Sequence, residues 1–209
     1  QYGSQPHRGT LDGLAILRTA LETRRYHGQG TWTLFVDLVK AFDTADHKLL
    51  FALLRKYGAP DKLVRAVETL YTDVSVKIQV GKEKRQIPYT IGVQQGNNMA
   101  PVLFVFLMQA FAETLEQKWK SEWGINSLQY RYLKQAKTIQ GRLQAQASTT
   151  TGTVFELMYL LYADDGAFMF ETEEEMVRGA ELITKHFKVF GLKMHYGKDG
   201  GKSKTEAMY

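Results

Sequence analysis

The chain has 209 residues, 44% of them apolar, enough to bury a core as one large domain or one domain with an appendage. It has no cysteine, which excludes a disulfide scaffold and a thiolate metal site. A net charge of +5 and a pI of about 9.2 suit a polyanionic partner without demanding one. No apolar run reaches the roughly 20 residues of a membrane span, and no signal peptide opens the chain.

Thr10 to Arg25 carries Leu11, Leu14, Ile16, Leu17, Ala20 and Leu21 on a helical stripe, with Thr10 or Asp12 placed to cap it. Thr31 to Val36 reads as a short buried strand ending at Asp37. The spacing predicts a helix from about Thr44 to Tyr57 on Leu49, Leu50, Leu53 and Leu54, stopped by Gly58. Another is predicted over Asp61 to Tyr71 on Leu63, Val64, Val67 and Leu70. Val74 to Val80 and Ile87 to Val93 alternate at period two, a hairpin across a Gly81 to Arg85 turn. After the polar Gln94 to Asn98 loop a helix runs from about Met99 to Trp119. Pro101 sits in its first turn, where the missing N–H costs nothing.

Lys120 to Thr153 is polar with little periodicity. Phe155 to Leu161 and Ala167 to Phe170 are apolar runs that read as a hairpin with Asp164, Asp165 and Gly166 at its tip, Asp-Gly suiting the tight turn. Thr172 with Glu175 three positions on is a capping box. It opens a helix on Met176, Ala180, Ile183, Phe187 and Phe190 that stops at Gly191. The tail from Leu192 holds a short strand, a loop rich in Gly and Lys, and a final strand from Thr205. Helices and antiparallel hairpins without strict β-α-β alternation place the chain in the α+β class.

Two carboxylates side by side at a hairpin tip repel, and one keeps its proton unless a cation intervenes. Apolar walls sharpen the conflict by excluding water. An isolated Asp-Asp-Gly is also simply good turn chemistry. Asp37 favours the first reading. It ends an apolar strand in Phe35-Val36-Asp37-Leu38-Val39-Lys40-Ala41-Phe42-Asp43, where it can face a hairpin tip on a neighbouring strand. Asp37, Asp164 and Asp165 would supply the hard oxygen ligands Mg²⁺ prefers, with waters and substrate phosphates completing each octahedron. Two such ions about 4 Å apart activate an attacking hydroxyl and neutralise a leaving phosphate oxygen, the chemistry of nucleotidyl transfer.

These residues resemble the palm of reverse transcriptases, most closely those of non-LTR retrotransposons and group II introns, over nearly the whole chain. Asp37 to Asp43 resembles the first catalytic block, an Asp followed five on by an aromatic and then Asp. Gly92-Val93-Gln94-Gln95-Gly96 with Ala100-Pro101-Val102-Leu103-Phe104 resembles the Gln-Gly block and its helix. Tyr162-Ala163-Asp164-Asp165 is similar to the aromatic-x-Asp-Asp box, and Gly191-Leu192-Lys193 with Lys204-Thr205-Glu206 to the block after it. The four occur in the family's order.

The resemblance implies an antiparallel sheet packed on helices with a ferredoxin- or RRM-like core. Residues 1–30 would close the fingers region and 31–209 form the palm, with 120–153 a basic variable insertion. It implies RNA-directed DNA synthesis from dNTPs on an RNA template and a DNA primer, with no membrane involved. By the same likeness Asp37 and Asp164 coordinate two Mg²⁺ ions, which Mn²⁺ can replace, and Asp165 is the supporting acid of the metal site. Leu38, Phe42, Gln95, Gly96 and Tyr162 bind substrate. Phe42 lies under the incoming sugar and excludes a 2′-hydroxyl, although from the sequence alone it also reads as core. Gln95 and Gly96 touch the nascent pair and template, Gly96 allowing close backbone approach. Asn97-Asn98-Met99-Ala100 departs from the family's small apolar run and Ser before the Pro. Lys204 matches the lysine that protonates departing pyrophosphate; it reads equally as a solvated lysine, because an insertion from Gly197 to Gly201 loosens its alignment.

Arg8 and Gly9 resemble the end of the fingers block. With further fingers residues expected upstream of Gln1 and a thumb beyond Tyr209, the chain reads as an excerpt of a longer polypeptide with endonuclease or maturase segments. Lys118 to Arg142 has six Lys/Arg against one Glu, interleaved with Trp119, Trp123, Tyr130 and Tyr132. Lys134, Lys137 and Arg142 there suit a nucleic-acid backbone, or a solvated loop. His7, His27, His47, His186 and His195 show no paired ligand spacing and none is assigned to metal; His47 reads as capping or packing. Met158, Met169, Met176 and Met194 read as core filler. Competing readings are an RNA-dependent RNA polymerase or nucleotide cyclase on the same scaffold, and an inactive or domesticated palm that only binds nucleic acid. Phe42 argues against the RNA polymerase, the Gln95-Gly96 block against the cyclase, and the three acids together against the inactive palm.

Overall fold

The computed structural model describes residues 3–94, 96–132, 153–197 and 202–209. Helix α1 (Thr10–Tyr26) leads into strand β1 (Trp32–Val36), and a 3₁₀ turn (Ala41–Thr44) into α2 (His47–Lys56) and α3 (Asp61–Tyr71). A ribbon of β2 (Ser75–Val80) and β3 (Glu83–Pro88) precedes α4 (Ala100–Lys118), which runs on into a π turn (Trp119–Trp123). A second ribbon pairs β4 (Leu128–Tyr132) with β5 (Thr153–Leu157). Then come the hairpin β6 (Tyr159–Tyr162) and β7 (Asp165–Phe170), helix α5 (Glu173–Val189) and strand β8 (Glu206–Met208).

The centre is a four-stranded antiparallel sheet in the order β6-β7-β1-β8. With α4 and α5 as the two helical connections, these strands follow β-α-β-β-α-β in the chain, the split βαβ arrangement of a ferredoxin-like core. Alternation divides the sheet's side chains between two cores. Leu34, Val36, Leu161, Phe168 and Phe170 face α2 to α5, where Phe104, Leu107, Met108 and Phe111 of α4 are almost wholly buried. Each such side chain contributes about 1.5–3 kcal/mol by leaving water. Phe35, Leu160, Ala167 and Met169 face the other way, onto Leu17 and Ala20 of α1 and onto Leu128 and Leu157 of the second ribbon.

Local signals set the helix ends. Thr172 accepts the Glu175 N–H at 3.1 Å, the capping contact its spacing predicts. Asp46 accepts the Leu49 N–H at 2.8 Å, so α2 starts three residues after Thr44 and the 3₁₀ turn takes the residues before it. Asp12 caps α1 by accepting the Gly9 N–H at 2.8 Å. Leu11, Leu14, Leu63 and Leu70, on predicted stripes, are exposed, and Tyr71 is buried in α3 instead. The four methionines read as filler are all buried. Among the described residues no helix is long and apolar enough to cross a membrane.

The strands correct the reading in three places. The first ribbon turns at Gly81-Lys82, with Val80 opposite Glu83, so β3 starts four residues before Ile87. It stops at Pro88, which has no N–H to extend a ladder. The run Phe155 to Leu161 is two strands. Up to Leu157 it pairs with β4, and from Tyr159 with β7, changing partners at buried Met158, whose carbonyl accepts the Met169 N–H at 2.9 Å. The polar Lys120 to Thr153 segment supplies that partner, β4, because Leu128 needs only one buried face to be held.

Candidate active site at the end of the central sheet

Val36 pairs with Gly166, so the next rung outward sets Asp37 beside Asp165. Tyr162 pairs with Asp165, which leaves Ala163 and Asp164 as the two turn residues. Asp-Gly is therefore not the turn: Ala163 takes the positive φ of 52°, and Gly166 is already in the strand. Gly166 is needed for clearance, since a Cβ would come within 2.9 Å of the Phe168 ring and 3.3 Å of Leu161. Asp37 is held from its far side as well. Its carbonyl accepts the His195 N–H at 2.8 Å, and Val39 donates to the Lys193 carbonyl at 2.7 Å.

Asp165 holds its proton more tightly than an ordinary aspartate. Poor solvation against its apolar neighbours is the largest cause, repulsion from Asp164 and then Asp37 adds to it, and Lys204 opposes it. On the α1 face this carboxyl borders an apolar cavity of about 230 Å³ lined by Leu14, Leu17, Phe35 and Leu160. Lys204 Nζ lies 3.7 Å from Asp37 Oδ2, so the lysine read as either general acid or surface charge stands within the acid group.

The Gln-Gly loop docks on the 3₁₀ turn that follows Asp37. Val93 donates to the Phe42 carbonyl at 2.7 Å and Gly92 to that of Ala45 at 2.8 Å. Gly92 has φ of 91°, and a Cβ there would strike the Asp43 backbone at 2.7 Å. A ring nitrogen of His47 meets the Gly92 carbonyl at 2.6 Å. His47 thus packs as expected, with a specific task the sequence did not signal. Phe42 is half-buried and stacks on Phe104 with centroids 4.3 Å apart. Gly96 is exposed with φ of 87°, and Tyr162 is exposed beside the acids. Leu38 is buried in the main core, leaving its backbone as what it offers to a ligand. Asn97, where the sequence departs from the family, accepts the Met99 N–H through its side chain at 2.9 Å and organises the start of α4. Gln95, Lys134, Lys137 and Arg142 lie outside the described residues.

Asp37, Asp164 and Asp165 thus gather at one sheet end, where the anionic form of Asp165 is disfavoured first by poor solvation and then by its two acidic neighbours. Among the described residues no three acidic or histidine side chains converge as a finished metal cage. The donor chemistry of the three carboxylates fits a hard divalent cation.

The fold, an antiparallel sheet packed on helices, is that of a polymerase palm. A family model described as reverse transcriptase (RNA-dependent DNA polymerase) matches residues 1–200, and the chain belongs to that family. It is 29% identical over 116 residues to the retrovirus-related Pol polyprotein from type-2 retrotransposable element R2DM of Drosophila melanogaster, covering 55% of this chain and 11% of that protein. It is 29% identical over 111 residues to the Pol polyprotein from type-1 retrotransposable element R2 of Popillia japonica, covering 53% and 18%. A COX1/OXI3 intron 2 protein of Saccharomyces cerevisiae is 25% identical over 127 residues, covering 59% and 14%. The matches span less than a fifth of these relatives' lengths. Among solved structures, apo telomerase from Candida Tropicalis truncated from its C-terminal domain superposes with a TM-score of 0.58 at 9% identity. That alignment covers 96% of this chain and 35% of that one, and shows a shared fold.

Proposed function

We propose that this chain is the palm of an RNA-directed DNA polymerase, joining dNTPs to a DNA primer on an RNA template within a retroelement protein. The observation that carries the reading is Asp37 meeting the Asp164-Asp165 turn and Lys204 at one sheet end, in a chain of the reverse transcriptase family. Asp37, Asp164 and Asp165 would hold two Mg²⁺ ions, or Mn²⁺ in their place. Such ions, when bound, supply charge neutralisation for phosphoryl transfer. The chain's own residues do the rest. Phe42, its ring stacked on Phe104 and its carbonyl held by the Val93 N–H, selects the sugar. Gly96 gives a backbone unobstructed by a side chain for the nascent pair, with Gln95 next to it. Lys204 carries the proton for the leaving pyrophosphate.

Residues 1–30 would end the fingers and 31–209 make up the palm, with Lys134, Lys137 and Arg142 in a basic segment facing nucleic acid. Further fingers, thumb and endonuclease or maturase segments would belong to the parent protein. The test is primer extension on RNA with Mg²⁺ and dNTPs. Asp37→Asn and Asp164→Asn should each lower extension by at least about 10³-fold while circular dichroism and Tm stay those of a folded protein. Mg²⁺ should raise the Tm of the unaltered protein and not of these variants. Extension at the unaltered rate by either variant would remove the metal assignment.

A further inference from the structure

We infer that His195 is a positioning residue for Lys204, the ring acceptor that holds the Lys204 N–H beside the acid-bearing strand. This rests on the reading of Lys204 as proton donor. His195 uses both backbone groups and its ring at one junction. Its N–H is given to the Asp37 carbonyl at 2.8 Å. Its carbonyl accepts from Ser203 Oγ at 3.2 Å. Its Nδ1 accepts the Lys204 N–H at 3.3 Å, nine positions along the chain. The Lys204 ammonium then lies 3.7 Å from Asp37 Oδ2. One residue therefore touches the backbone of Asp37 on one side and that of Lys204 on the other.

The Gly197 to Gly201 insertion separates the two halves of the last block, so chain spacing alone does not set Lys204 against His195. Beyond Lys204, Glu206 pairs with Phe35 of β1, and before it Ser203 Oγ donates to the His195 carbonyl, so both flanks of the lysine are held to the acid-bearing strand. Between those two anchors the His195 ring adds the contact to the Lys204 N–H itself. Accepting at Nδ1 puts the ring proton on Nε2, and an asparagine oxygen can stand near the same point. Phenylalanine keeps the ring's volume and has no acceptor.

The test uses the full-length protein, a primed RNA template and single-turnover dNTP incorporation, with hydrogen exchange at the Lys204 amide measured on the protein alone. His195→Phe should slow incorporation roughly tenfold, by loosening the geometry of a proton donor, and should speed Lys204 amide exchange. His195→Asn should keep both near the unaltered values. His195→Phe added to Lys204→Ala should cost nothing beyond Lys204→Ala, because it acts through that lysine. Unchanged amide exchange in His195→Phe overturns the inference. So does a full multiplicative loss in the double variant, or an Asn variant as slow as the Phe variant. If Lys204→Ala incorporates at the unaltered rate, the proton-donor role fails, and amide exchange still decides whether His195 makes the tie. Tm for each variant separates these outcomes from unfolding.

Discussion

Two hairpins in this chain share a two-residue turn and differ in everything around it. β6–β7 lies in the central sheet with Phe168 and Phe170 fully buried below it and Met169 buried above. β2–β3 projects as a ribbon exposed on both faces, Val80 at 75% exposure. Turn chemistry suffices to make a hairpin. Burial on both faces is what fixes the turn's position to the fraction of an ångström that chemistry demands.

The contrast can be broken most sharply through Phe168. Phe168→Ala should cost about 3–5 kcal/mol in chemical denaturation and abolish extension together with the fold. A loss below about 1 kcal/mol would mean the sheet does not depend on that face. A smaller effect is expected on the neighbouring turn. Phe42→Ala should raise ribonucleotide incorporation relative to deoxynucleotide by roughly 10–10² with Tm lowered by roughly 2–6 °C for the lost stacking on Phe104, and unaltered sugar selectivity would refute the gate.

Asp165 sharpens the contrast through pH. Its folded-state pKa is raised, so ionising it opposes folding. That penalty is present at neutral pH and disappears as pH falls below the folded pKa, opposite in sign to a salt-bridged aspartate. Asp165→Asn should therefore stabilise the metal-free protein at pH 7 by at most about 1 kcal/mol, discounted for its solvent contact, or ~2–4 °C in Tm. The gain should shrink in acid; a gain that grows in acid would contradict the crowding of carboxylates. The smallest effect belongs to the outlying ribbon, where Ile78→Ser should change stability by no more than about 0.5 kcal/mol.

Much of this was legible in the sequence because it is local. The Thr172 cap, the Pro101 helix start and the apolar runs of β1 and β7 each depend on residues a few positions apart. The acids were legible for a different reason: Asp37 ends a strand and Asp164-Asp165 sit at a turn, so pairing those strands brings them together. What stayed hidden depends on distant partners. Leu128 to Tyr132 reads as polar loop until β5 lies alongside it. Gly166 reads as a turn residue until Phe168 and Leu161 are in place around it. His47 and His195 carry no spacing signal, because the ring of each serves a backbone group that only the folded chain brings within reach. Exposed Leu11 and Leu63 mark the opposite error, since periodicity shows which residues share a side and not whether anything covers it.

Tyr132 is paired with Thr153 at the open end of the second ribbon. Both ends of that connection are thus anchored independently of what joins them. Insertions there would be thermodynamically cheap, each doubling of length adding only about 0.6 kcal/mol, and would leave the distance between Asp37 and Asp165 untouched. A comparable insertion inside β7 would shift every later residue to the opposite side of the sheet. The molecule therefore has one stretch free to diversify in length and another, beginning twelve positions after Thr153, that tolerates no change of count.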